Sequence, residues 1–346
     1  MDTKCIRFIG RHITKNGKDY FSYSGSGFEL KVKPKEENSS LKLRLNSELK
    51  EHNSQYISIY VNDEIYSSNK LNEGLNEVEI NLSGTQESLI RLIKLNEVYL
   101  SSILVEGIVL EGCELVEIEP SNRKLIGFFG DSVTCGFGLI DYQGEAFKME
   151  TEDFRKTYGF LASFALNMDY SIVARSGISI AFPIYVDKLF GEIYDTVDMT
   201  EKCKEDRLLD YAVINLGAND NSGLFQLYNE EDRPKAIVEF KDKFLNLIDR
   251  IITDNKDVKI VMIYHMLPLE EIIINAIKDV YKEASSKYTN KIKLLECTPN
   301  SDGACCHPYW PAHKEASKLL IEAIKSLWKN AWLLVTHSKE RYLQIK

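Results

Sequence analysis

The hydrophobic pattern of this chain changes period about a third of the way along, and that change limits the folds open to it. Before Pro120, apolar residues recur at every second position: Phe28, Leu30, Val32; Leu41, Leu43, Leu45; Ile57, Ile59, Val61; and Val78, Ile80, Leu82. Alternation of this kind turns one face of a strand to a core and the other to water. Turn-forming clusters such as Ser24-Gly25-Ser26-Gly27 and Asn72-Glu73-Gly74 separate the runs, so this part predicts an antiparallel sandwich. The stretch 104–110 reads as its last strand, and the acidic, proline-containing 117–122 as a linker.

After Lys124 the rhythm is different. Short apolar, β-branched runs at 125–129, 171–174, 211–216, 259–264 and 292–297 alternate with helical patterns at 158–168, 235–253, 270–287 and 312–329. In the third helix Ile273, Ile274, Ile277 and Val280 share one face. Continuous apolar strands alternating with amphipathic helices predict a parallel sheet covered on both sides. The tail 331–346 reads as either a strand or a packing loop.

A length of 346 residues exceeds what one core usually spans, which agrees with two units: a β-sandwich over 1–118 and an α/β domain over 119–346. The formal net charge of -9, with no basic cluster, argues against a nucleic-acid partner, because phosphate binding needs concentrated Lys and Arg. No apolar stretch is long enough to span a bilayer. The start Met1-Asp2-Thr3-Lys4-Cys5 lacks the basic and apolar pattern of a secretion signal. Seven cysteines without regular spacing fit free thiols in a reducing, cytoplasmic setting. Oligomeric state is not legible.

Three segments carry chemistry, each just past a predicted strand end, where open parallel sheets bind ligands. Ser132 lies in Gly130-Asp131-Ser132-Val133-Thr134-Cys135-Gly136, a sharp turn into a helix. Asn219 lies in Gly217-Ala218-Asn219-Asp220, read as a turn after a strand, and His307 in Asp302-Gly303-Ala304-Cys305-Cys306-His307-Pro308. A serine hydroxyl needs a base, and histidine is the usual one near neutral pH. The set therefore predicts acyl transfer with Ser132 as nucleophile and His307 as base. Oxyanion donors are assigned to the Ser132 amide, the Gly177 amide in Arg175-Ser176-Gly177-Ile178, and the Asn219 carboxamide. This chemistry requires no metal and no organic cofactor.

Gly-Asp-Ser, a later glycine, Gly-x-Asn-Asp and a C-terminal His-Pro resemble the four blocks of the SGNH (GDSL-like) hydrolases, over 124–329. Gly10-Arg11 followed by Ser24-Gly25-Ser26-Gly27-Phe28 resembles the jelly-roll module of carbohydrate esterase family two. The resemblance implies a three-layer, flavodoxin-like catalytic domain behind a jelly roll, acting as an acetyl esterase on carbohydrate. It also implies an acid three residues before the histidine, yet Ala304 stands there and the nearest carboxylate is Asp302. Either Asp302 reaches the imidazole, or a backbone carbonyl orients it in a Ser–His dyad, an arrangement the resemblance also allows.

Tyr309 and Trp310 could form a sugar-stacking wall or belong to the core. His313 and His265 read as structural, Cys135 as a small buried filler, and Cys305-Cys306 as a poor metal site. The expected partner is an acetylated carbohydrate or another small ester. Two other readings stand beside this one: an esterase or thioesterase for a different acyl substrate, and a carbohydrate-binding protein on a degenerate hydrolase domain.

Overall fold

The structure, a computed structural model, describes residues 4–50 and 53–329. The tail read at 331–346 lies outside the described residues. Eleven strands form the first part: β1 (Ile6–Ile9), β2 (Ile13–Lys15), β3 (Lys18–Phe21), β4 (Gly27–Pro34), β5 (Asn38–Leu49), β6 (Gln55–Val61), β7 (Glu64–Leu71), β8 (Gly74–Ser83), β9 (Ser88–Lys94), β10 (Ser101–Glu111) and β11 (Cys113–Val116). They make two antiparallel sheets, ordered β1-β4-β9-β6-β7 (with β11 also on β4) and β2-β3-β10-β5-β8. The alternating residues meet between the sheets. Of the twelve, all but Val61 are buried in one core, and Val61 packs against its edge. One expectation is corrected: the strand near 104–110 is not the last, because the chain turns at Gly112 and returns as β11.

The second part holds one parallel sheet, ordered β13 (Asp169–Ala174), β12 (Leu125–Gly130), β14 (Tyr211–Asn215), β15 (Lys259–Tyr264), β16 (Ile292–Glu296). Every residue of β12 is buried. Leu125 and Phe129 enter the core under one sheet face and Ile126 and Phe128 the core under the other, as the pleat dictates. Helices α2 (Tyr158–Leu166) and α7 (Trp310–Lys329) cover one face. Helices α5 (Arg233–Asp254) and α6 (Glu271–Lys287) cover the other, with Phe240, Phe244, Ile273 and Ile277 turned inward. Between them lie α1 (Ser132–Cys135), α3 (Phe190–Ile193) and α4 (Ala218–Leu227). The stretch Ala218–Asp220 was expected as a turn and is instead the first turn of α4. The glycine before it, Gly217, has φ 114°, so the chain leaves the strand and enters the helix across only two residues, Leu216 and Gly217.

The two parts are joined by buried polar contacts. Arg11, only 4% exposed, bonds Glu205 Oε1 at 2.8 Å and donates to the carbonyls of Tyr194 and Thr196. Tyr23 Oη and Thr196 Oγ1 are 2.9 Å apart. Gly25 turns the chain at φ +76°, and a Cβ there would lie 2.5 Å from the Phe154 ring across the junction. Only glycine fits that approach.

Removing the Arg11 guanidinium would leave the Glu205 carboxylate and two buried carbonyls short of a donor. Arg11→Ala is expected to lower unfolding free energy by about 3 kcal/mol, read from the urea midpoint. Arg11→Lys should recover only part of the loss, because a single ammonium cannot reproduce the forked donors.

Candidate active site

Register brings the site together. In the parallel sheet Gly130 of β12 lies opposite Ala174 of β13 and Asn215 of β14, so three strands end abreast. Ser132, Gly177 and Asn219 follow those ends by two, three and four residues. Asp131 caps α1, its carboxylate accepting from the Val133 amide at 3.0 Å. Burial pushes that carboxyl up to about 7. As the first residue of α1, Ser132 has an amide with no intrahelical acceptor.

His307 arrives from a different direction, on the loop between β16 and α7, and its Nε2 stands 2.8 Å from Ser132 Oγ. Its Nδ1 stands 3.0 Å from the carbonyl oxygen of Cys305. A carbonyl can only accept, so Nδ1 carries the proton and Nε2 presents its lone pair to the serine hydroxyl. Burial of the imidazole, opposed by this bond, lowers its pKa below the ordinary 6.5. The ring is therefore neutral and basic at physiological pH.

Aiming that carbonyl costs backbone strain. Cys305 and Cys306 sit at φ 51° and φ 58°, the left-handed region that disfavours residues with a Cβ by roughly 1–2 kcal/mol each. Hydrogen bonds to the loop that follows the nucleophile offset it. The Ala304 amide reaches the carbonyls of Gly138 (3.0 Å) and Asp141 (2.9 Å), and the Gln143 amide reaches Asp302 O at 2.7 Å. The Asp302 carboxylate itself accepts from Asn300 Nδ2 at 2.6 Å, and Asn300 Oδ1 accepts from the Tyr309 amide at 2.8 Å. Asp302 therefore braces the loop; the partner of His307 is the Cys305 carbonyl. Of the two arrangements left open by the sequence, the geometry is that of a dyad.

The loop that carries Gly177 is held by Asp220, whose buried carboxylate accepts from the amides of Ile180 (2.9 Å), Ala181 (2.6 Å) and Phe182 (3.1 Å). Burial raises its pKa to about 6 against the pull of those donors. Asn219 Nδ2 donates to Ile178 O at 2.9 Å, so one amide hydrogen pins the Gly177 loop and the second remains uncommitted. Gly177 has φ +80°, and a Cβ would meet the Tyr185 Cβ at 2.8 Å.

Aromatic rings surround the dyad. Phe137 packs against the His307 ring at 4.6 Å and stacks on Phe147 at 4.0 Å. Tyr309 stacks on Tyr142 at 4.8 Å, and Trp310 meets Tyr309 edge-on. Trp310 is 39% exposed and Tyr142 62%, so these rings form a surface and not a core. His313 is structural: fully buried, it accepts from the Tyr158 amide and burial pushes it down to about 3. A large groove lies elsewhere, between the sandwich, α2 and α7, and does not include Ser132 or His307. Its arginines are already paired, Arg7 with Glu29, Arg11 with Glu205, and Arg123 and Arg207 with Asp169.

Sequence reasoning gave no role to Phe137, Phe147 or Tyr142, which lie in the segment following the nucleophile without any motif. Nor did it single out Glu97, which hydrogen-bonds Ser176 from the sandwich side. A signal existed there: Lys94, Asn96 and Glu97 are polar residues set among the apolar Leu92, Ile93, Leu95 and Val98.

No protein-family model matches the chain, and no curated protein sequence matches it either. Solved structures do. A family two carbohydrate esterase from Clostridium thermocellum, in complex with cellohexaose, superposes with a TM-score of 0.82 at 19% identity, covering 95% of this chain and 100% of that one. An acetyl xylan esterase from the rumen bacterium Butyrivibrio proteoclasticus gives 0.80 at 18% identity, covering 96% and 98%. The salicylyl-acyltransferase SsfX3 from a tetracycline biosynthetic pathway gives 0.64 at 13%, covering 94% and 96%. The fold is thus a jelly-roll sandwich followed by an SGNH-type α/β unit. Within that class it is the arrangement of the family two carbohydrate esterases over nearly the whole chain.

A general base must be unprotonated, so activity should fall as pH drops through the His307 pKa. The acid limb of kcat/KM is expected below pH 6.5, measured with a chromogenic acetyl ester. Asp302→Asn keeps an acceptor for Asn300 and should leave kcat within about twofold of wild type, since a lost transition-state contact would cost about 100-fold or more; a drop of that size would make Asp302 the third member of a triad.

Proposed function

We propose that the chain is a serine esterase that removes small acyl groups, acetyl foremost, from carbohydrate hydroxyls. The observation that carries this reading is the Ser132 Oγ–His307 Nε2 contact at 2.8 Å, with Nδ1 fixed by a backbone acceptor. Ser132 Oγ attacks the ester carbonyl while its proton passes to His307 Nε2. Negative charge collects on the former carbonyl oxygen, facing the Ser132 and Gly177 amides and the free Asn219 N–H. Collapse expels the sugar oxygen, which takes the proton from His307, and leaves an acyl-serine. Water, deprotonated by His307, attacks that ester; acetate leaves and the Ser132 hydroxyl is restored.

Two further observations support a carbohydrate substrate. The exposed rings of Tyr142 and Trp310, with the half-buried Tyr309 packed against both, offer the flat apolar surface on which pyranose faces stack. The solved structures that share the fold include carbohydrate esterases, one of them holding a cellulose oligomer. The degenerate, binding-only reading is disfavoured by a nucleophile and base in hydrogen-bond contact. Preference for acetyl over longer acyl chains belongs to the same proposal.

Ser132→Ala should abolish turnover of p-nitrophenyl acetate with thermal unfolding nearly unchanged. Acetate release from acetylated xylan, mannan and monosaccharides should identify the sugar. A preference for octanoyl over acetyl esters, or binding of the glycans without acetate release, would sink the proposal.

A further inference from the structure

Glu97 belongs to the sandwich, three residues beyond the end of β9, and its side chain is fully buried against the α/β unit. Both carboxylate oxygens are occupied. Oε2 accepts from the Ser176 amide at 2.7 Å and from the Cys135 thiol at 3.6 Å, and Oε1 accepts from the Ser176 hydroxyl. Ser176 directly precedes Gly177, whose amide is one of the oxyanion donors proposed above. Cys135 ends α1, the turn that begins at Ser132. One side chain from the sandwich thus touches both backbone segments that set the distance between nucleophile and oxyanion donors.

The carboxylate is itself held rigidly. The Glu97 amide donates to Glu152 Oε2 at 3.2 Å, and Lys94 Nζ donates to the Asn96 and Glu97 carbonyls at 2.6 and 3.1 Å. Asn96 locks the same turn, accepting from the Tyr56 amide and donating to Met149 O. Burial raises the Glu97 carboxyl above its ordinary value, and the Ser176 hydroxyl and amide oppose that shift. A second carboxyl, Glu152, and the Lys94 amine share the enclosure.

We propose that Glu97 is a positioning residue for acyl transfer, by which the sandwich fixes the Gly177 amide relative to Ser132. The inference rests on the esterase reading above and adds to it a role for the sandwich beyond substrate contact. A displaced donor weakens transition-state binding and leaves ground-state binding alone, so the effect belongs in kcat.

The test uses the full chain, with p-nitrophenyl acetate as substrate and active sites titrated by the acyl-enzyme burst. Glu97→Ala is expected to lower kcat by about 100-fold, the scale of an ångström-level misplacement, with KM within twofold. Glu97→Gln, which keeps one acceptor, should recover part of it. Ser176→Ala, which keeps its amide bond to Oε2, should cost less than Glu97→Ala and serves if that variant fails to fold. Amide hydrogen exchange in the peptide spanning 175–178 should quicken in Glu97→Gln, a readout independent of turnover. Folded Glu97→Gln and Ser176→Ala with kcat within twofold of wild type, or unchanged exchange at 175–178, would overturn the inference. A role confined to stapling the two units would lower the unfolding midpoint and leave kcat intact, which also overturns it. Ser132→Ala separates the two ideas: its residual activity would end the esterase reading, whereas its inactivity beside unaffected Glu97 variants would end only this one.

Discussion

Parallel strand register is the constraint on which this site depends. Gly130 opposes both Ala174 and Asn215, and that alignment follows from which apolar residues of β12, β13 and β14 must share a core. Slipping any strand by one residue would exchange its two faces, sending Phe128 and Phe129 to the wrong layers. The sheet therefore fixes, through burial alone, where three loops begin. Chemistry is then a matter of short excursions of two to four residues, too short to wander.

What the sheet leaves undetermined is the direction of each excursion, and buried carboxylates settle that. Asp131 turns the chain after Gly130 by capping α1, and Asp220 gathers three consecutive amides beyond Gly177. Each satisfies donors that would otherwise be orphaned away from water, at about 1–3 kcal/mol apiece. The desolvation of the acids is the opposing cost, visible in their raised pKa values. A half-satisfied arrangement would be worse than an apolar one, which favours a single loop geometry over several.

The His307 ring is oriented by a carbonyl, where catalytic serine–histidine pairs commonly use a carboxylate. A carbonyl fixes the tautomer and the ring plane as well as a carboxylate does, but contributes a dipole and not a charge to the imidazolium that forms. The compensation here is steric and local. Phe137 backs the ring, and the Cys305-Cys306 turn holds its strained conformation through bonds to the segment 138–143. Nucleophile loop and histidine loop are thus zipped together, and the dyad distance is set by backbone pairing.

The sequence by itself determined the two architectures and singled out the serine and histidine that the fold brings into hydrogen-bond contact. Period-two alternation can be satisfied only by half-buried strands, and apolar runs alternating with amphipathic helices only by a covered parallel sheet, so local pattern was sufficient. Ser132 and Asn219 were legible because each closely follows a strand end, whereas His307 was legible from its His-Pro segment, eleven residues beyond the end of β16. Gly177 was legible as a loop glycine of the same kind. The partner of His307 was not, because a backbone carbonyl has no residue type to read and depends on two left-handed φ angles. Asn219 was mistaken for a turn because α4 begins at a glycine and opens with polar residues, without an apolar stripe. The roles of Glu97, Arg11 and the Phe137–Phe147 pair were decided by tertiary structure alone. Each acts across a long gap in the chain, and such contacts follow from docking one core against another, which no local period records.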